Sequence, residues 1–97
     1  MRVKLGPLEA SLQKGIGQST NFQLTNPKDE KVQQAVKFES DGEIKNVIFT
    51  TGEEYISILS GGIGENYITY NINIAANETA SGVIVSADRV KIKPIFD

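Results

Sequence analysis

Large apolar side chains recur at every second position in run after run along this chain. Ile68, Tyr70, Ile72 and Ile74 alternate with Thr69, Asn71 and Asn73; Phe22 and Leu24 alternate with Asn21, Gln23 and Thr25. Val32, Val36 and Phe38 share a parity with Gln34 against Gln33, Ala35, Lys37 and Glu39, and Val90 and Ile92 do so against Arg89, Lys91 and Lys93. A period of two places successive side chains on opposite faces of a strand, so each run predicts a strand with one face on a core and one on water or a partner.

The runs are separated by turn residues. Val3 to Leu5 and then Leu8, Ala10 and Leu12 predict two short strands broken at Gly6-Pro7, the first at a sheet edge because proline removes a ladder donor. A helix from Glu9 to Lys14 competes, since Leu8 and Leu12 are four apart, but Gly15 and Gly17 stop it. A helix from Asp29 to Lys37 also competes, because Val32, Ala35 and Val36 match helical spacing. Strand is favoured there by Val36 to Glu39 running into Asp41-Gly42, a hairpin signal that predicts Ile44 to Thr50 as the returning strand. The consecutive Val47, Ile48 and Phe49 invite a bulge.

Residues Thr51 to Glu54 then turn the chain into a strand from Tyr55 to Leu59. Gly61, Gly62 and Gly64 read as a tight link to the long strand after Tyr67, with Gly62 in a conformation ill suited to a β-carbon. Ala75 to Gly82 reads as a connection to Val83 to Ala87, and Arg89 to Ile95 as the closing strand. Gly42, Gly52 and Gly82 are expected to be turn glycines of the same kind as the link. Seven or eight short strands with no βαβ unit predict one all-β domain over residues 1–97, an antiparallel sandwich of immunoglobulin-like type; a small β-barrel is the alternative.

Composition narrows the function by elimination. The 97 residues are 39% hydrophobic and 23% charged, enough for one modest core with little room for an enclosed active site. With Lys+Arg 10 against Asp+Glu 12 and a net charge of -2, no long-range field gathers polyanions, so nucleic acid is not an expected partner. Cysteine and histidine are both absent, which removes thiol chemistry, zinc-thiolate sites and the commonest general base and metal ligand. No apolar run reaches the length of a signal peptide or membrane span, so a chain made and kept soluble in a cytoplasm is expected.

The remaining motifs carry no catalytic chemistry. Asp29-Glu30 and Glu53-Glu54 are adjacent carboxylates in turns, Ser11 and Lys14 have Ser-Lys spacing without its supporting elements, and Asn77-Glu78-Thr79 reads as a polar turn. Gly61 to Glu65 leads into a strand and a glutamate rather than a helix and a lysine, which is the wrong context for a phosphate cradle. Asp41 to Glu43 and Asn77-Glu78 lack a calcium-loop pattern. No catalytic residue, cofactor site or metal site is therefore expected. The candidate interface residues are the outward basic row Arg89, Lys91 and Lys93, extended by Arg2 and Lys4, and the edge strand Val3, Lys4 and Leu5.

From Leu59 through Ser60, Gly61, Gly62, Ile63, Gly64, Glu65, Asn66 and Tyr67, followed by the alternating strand and the closing Arg89 to Lys93, the chain resembles small immunoglobulin-like accessory proteins of tailed-phage structural operons. The likeness covers roughly Tyr55 to Lys93. It implies a non-catalytic head, neck or tail component that docks onto a larger phage protein, repeats by symmetry as a homo-oligomer, and ends up in the virion. Two alternatives remain open: a carbohydrate or surface-ligand binding module, for which the tyrosines Tyr55, Tyr67 and Tyr70 would supply aromatic platforms, and a regulatory protein-binding domain.

Overall fold

The computed structural model describes residues 2–49, 56–63, 66–86 and 89–95, with the backbone alone at 56–63 and 86. Nine strands lie among them: β1 (Arg2–Leu5), β2 (Leu8–Lys14), β3 (Ser19–Thr25), β4 (Val32–Ser40), β5 (Ile44–Phe49), β6 (Ile56–Ile63), β7 (Tyr67–Ile74), β8 (Thr79–Ser86) and β9 (Val90–Ile95). They form a five-stranded sheet in the order β1-β2-β3-β8-β5 and a four-stranded sheet in the order β6-β7-β4-β9. Every pairing is antiparallel, and neither sheet closes on itself. The result is a sandwich rather than a barrel, and no described residue is helical.

The predicted alternation sets the two layers. Along β2 and β3, Leu8, Ala10, Leu12, Phe22 and Leu24 are buried; along β4 and β7, Val32, Val36, Phe38, Ile68, Ile72 and Ile74 face them. Both competing helices are thus strands. A ring cluster ties the layers together: Phe22 lies 5.0 Å from Phe38 and 5.5 Å from Phe49 between ring centroids, and Tyr70 stands edge-on to Phe38 and Phe49. Tilted and edge-to-face pairs of this kind favour one arrangement of the core over a generic apolar filling. Gln34, the one polar residue of the inward parity on β4 before Ser40, is buried with its Nε2 lacking a partner.

Strand order matches the immunoglobulin constant-type plan over one sheet and departs from it over the other. β2-β3-β8-β5 follows the A-B-E-D order, and β4 beside β9 stands where C stands beside F. The departure is the β6–β7 hairpin, which enters the chain between β5 and β8 and lies on the other flank of β4.

Several connections differ from the sequence reading. Asp41-Gly42 does not close a β4–β5 hairpin: β5 pairs β8 in the opposite sheet, so the segment crosses between layers. The physical reason lies in the Ser40 hydroxyl, which donates to the Gly42 carbonyl at 2.6 Å while the Asp41 amide donates to the Arg89 carbonyl at 3.2 Å, turning the chain out of its sheet. Gly61 and Gly62 are not in a link but in β6, opposite Tyr70 and Thr69, beyond an irregularity between Ile58 and Gly61. Gly52, Gly64 and Tyr55 lie outside the described residues.

Gly82 is likewise no turn residue. It sits in the middle of β8, opposite Phe22 on one side and Phe49 on the other. A β-carbon there would lie 2.3 Å from Phe22 Cζ and 2.8 Å from the Ile48 carbonyl oxygen. The missing side chain makes room for the central ring of the core. The bulge expected near Val47 to Phe49 occurs slightly earlier, between Ile44 and Asn46, and leaves Val47 and Phe49 half-buried with Ile48 exposed.

Candidate functional site

Chain direction gathers four connections at one end of the sandwich, β2 to β3, β4 to β5, β6 to β7 and β8 to β9, the last three around the start of β9. Ser40, Asp41, Asn66, Tyr67, Arg89, Lys91 and Glu39 line an open recess of about 410 Å³ between them. Two backbone bonds hold its floor, from the Ser40 amide to the Asn66 carbonyl at 2.9 Å and from the Asp41 amide to the Arg89 carbonyl at 3.2 Å. The Arg89 amide in turn donates to Asp41 Oδ1 at 3.3 Å. The Arg89 guanidinium stands 3.9 Å from Asp41 Oδ2 with its side chain 86% exposed, so it is held loosely and faces solvent.

The outer face of β4 and β9 carries the other charges. Glu39 bonds Lys93 through Oε2 at 2.8 Å and Lys37 through Oε1 at 3.1 Å. The bond from Lys93, then that from Lys37, holds the Glu39 carboxyl below its ordinary range. Lys37 also places its Nζ 4.5 Å from the centre of the exposed Tyr67 ring, covering one face of it. Lys91 is directly across from Glu39 in the register, yet both carboxylate oxygens are already engaged. Lys91 has no ion-pair partner among the described residues.

The predicted interface residues divide accordingly. Lys91 and Lys93 do share the outward face of one edge strand, with Arg89 exposed just before it, but Lys93 is bound to Glu39 and Arg89 loosely to Asp41. β1 is an edge strand as expected, and it lies against β9 across the sandwich, so both expected docking lines flank the same side of the molecule. Within β1, however, Leu5 is fully buried and Val3 packs against the core. The two-residue period from Leu5 through Val3 already puts them on the inner face, which leaves Lys4 outside, opposite Glu9. The Leu5 side chain is therefore part of the core, and only its backbone lies along the sheet edge.

Sequence reasoning missed Glu39, Asp41, Asn66 and Tyr67 as neighbours of the basic row. Glu39 was legible as an outward residue of β4, but its placement beside β9 depends on a strand pairing across half the chain. No group of three or more metal-ligating side chains occurs among the described residues. No helix there is long and apolar enough to cross a membrane. Comparison with known proteins found no match to the chain among family models, curated proteins or solved structures.

Proposed function

We propose that this protein is a non-catalytic docking module that joins a larger protein through the β9 side of its sandwich. The observation that carries the reading is the charge balance there: Lys37, Lys91 and Lys93 surround the single carboxylate of Glu39 in a chain whose net charge is -2. A local excess of cations on an acidic chain steers an oppositely charged partner surface and sets its register. The assembly suggested by the resemblance around Leu59 to Tyr67 is a tailed-phage head, neck or tail. Association of the chain with the structural proteins encoded beside it, followed by light scattering or surface capture, tests the reading. The variant Arg89→Glu with Lys91→Glu should bind about tenfold or more weakly at low salt, an effect that fades as salt rises. Wild-type association by this variant across low and moderate salt would overturn it.

One observation favours a second reading, a saccharide site. Tyr67 is 41% exposed at the mouth of the recess, beside the hydroxyl, amide and carboxylate groups of Ser40, Asn66 and Asp41. Against it, the Lys37 ammonium already occupies one face of the ring. Binding to a glycan panel that is lost in Tyr67→Ala and retained in Arg89→Glu with Lys91→Glu would put this reading in place of the first.

A further inference from the structure

The free edge of β9 has a charge pattern that selects its occupant. β9 pairs β4 along one side, from Val90 opposite Ser40 to Ile95 opposite Ala35, and no described strand pairs its other side. Val90 and Ile92 point into the core, while Lys91 and Lys93, with Arg89 just before the strand, point out at every second position. An added strand would meet these cations directly across, at the spacing of its own alternate side chains.

Resting on the docking reading above, we propose that β9 accepts an extended segment of the partner that carries carboxylates at alternate positions, adding a fifth strand to the four-stranded sheet. Lysines on a sheet edge commonly prevent self-pairing. They do so here against a second copy, since two β9 edges side by side would set cations against cations. The same row is complementary to an acidic strand. Lys91 is the free contact and Arg89 the loosely held one, at 3.9 Å from Asp41, whereas Lys93 is already bound to Glu39. Pro94 has no amide to offer and limits the ladder to the first part of the strand. The β1 edge is the poorer acceptor, because it carries only two outward cations, Arg2 opposite Ser11 and Lys4 opposite Glu9, and the second already faces a carboxylate.

The test uses the full chain and two short capped peptides, one with glutamate at every second position and valine or threonine between, the other with lysine in place of glutamate. Amide hydrogen exchange is followed residue by residue. In the free chain, the β9 amides not bonded to β4 should exchange fast; on adding the glutamate peptide at low salt they should slow by about tenfold or more. Arg89→Glu with Lys91→Glu should lose the glutamate peptide by about tenfold or more and gain the lysine peptide, a gain that also shows the variant is folded. Slow exchange along that edge before peptide is added, absence of binding at low salt, binding without protection of β9, or equal affinity in the double reversal would each overturn the proposal. If the natural partner binds through Arg89 and Lys91 but leaves the β9 amides unprotected, the docking reading stands and strand addition fails.

Discussion

The two ends of the sandwich are built from opposite kinds of polar chemistry. At the end where β3 leads to β4 and β7 to β8, the amide of Asn26 is fully buried and its Nδ2 lies 2.8 Å from the Glu30 carbonyl and 3.1 Å from each of the Ile74 and Ala75 carbonyls. Its Oδ1 accepts from the Lys28 amide at 3.0 Å, and its own amide donates to the Glu78 carbonyl at 2.9 Å. Asn77, in the left-handed region with φ 58, donates from its amide to the Lys28 carbonyl and from Nδ2 to Asp29. One connection is thereby stitched to the other. At the far end, Arg89, Asp41 and Lys91 stand exposed around an open recess, where the Arg89 side chain is held only loosely by Asp41 and Lys91 has no ion-pair partner among the described residues. Polar groups that are buried and satisfied fix a fold, whereas exposed ones with spare valence are available to a partner.

The hardest test of that contrast is Asn26→Ala. It removes the side-chain partner of three carbonyls and one amide, the bond to the Ile74 carbonyl buried and the other three part-buried, so a loss of about 2 to 4 kcal/mol is expected in denaturant melts. The double reversal of Arg89 and Lys91 at the open end should change the same melts by less than about 1 kcal/mol. Equal losses at the two ends would break the comparison.

Gly82→Ala probes the core between the ends and should cost about 1 to 3 kcal/mol. The added methyl meets the Phe22 ring, which is 2% exposed and has little freedom to swing away, and the Ile48 carbonyl, which belongs to backbone. A silent substitution in thermal melts would show that β5 and β8 separate easily, and with them the framework that keeps the two ends apart.

These residues also mark where sequence reasoning stopped. Burial of Phe22, Leu24, Val36, Phe38, Ile68, Ile72, Ile74, Val90 and Ile92 was legible because the two-residue period is a property of each strand alone. The crossing at Asp41-Gly42 was not legible, since a turn dipeptide specifies a local bend and says nothing about which strand is met afterwards. Gly82 looked like punctuation because its reason, the Phe22 ring, is sixty positions away. The outward basic row could be read from parity, but Glu39 and Asp41 join it only through β4–β9 pairing and the Asp41–Arg89 contacts. Asn26 precedes Pro27, a pair that in sequence marks no more than the end of a strand, and its role depends on carbonyls at Ile74 and Ala75.

The smallest expected effect sharpens the open end. Glu39 has its carboxyl held below the ordinary glutamate range by Lys93 and then Lys37, so the folded chain gives up that proton more readily than the unfolded chain. The stabilisation is fully present above the unfolded glutamate value of about 4.3 and is lost as pH falls through the lowered folded value. Because the three side chains are partly exposed, the gain is under about 1 kcal/mol and salt weakens it. A carboxyl titration followed by NMR should find Glu39 below the ordinary glutamate range, and Lys93→Ala should move it upward by more than Lys37→Ala does. The melting difference between the wild type and Glu39→Gln should shrink as pH drops below about 4. If Lys93→Ala leaves the titration unmoved, Lys93 is not held by Glu39. It would then join Lys91 as a second free cation on the β9 edge, and an acidic strand would meet two ready contacts instead of one.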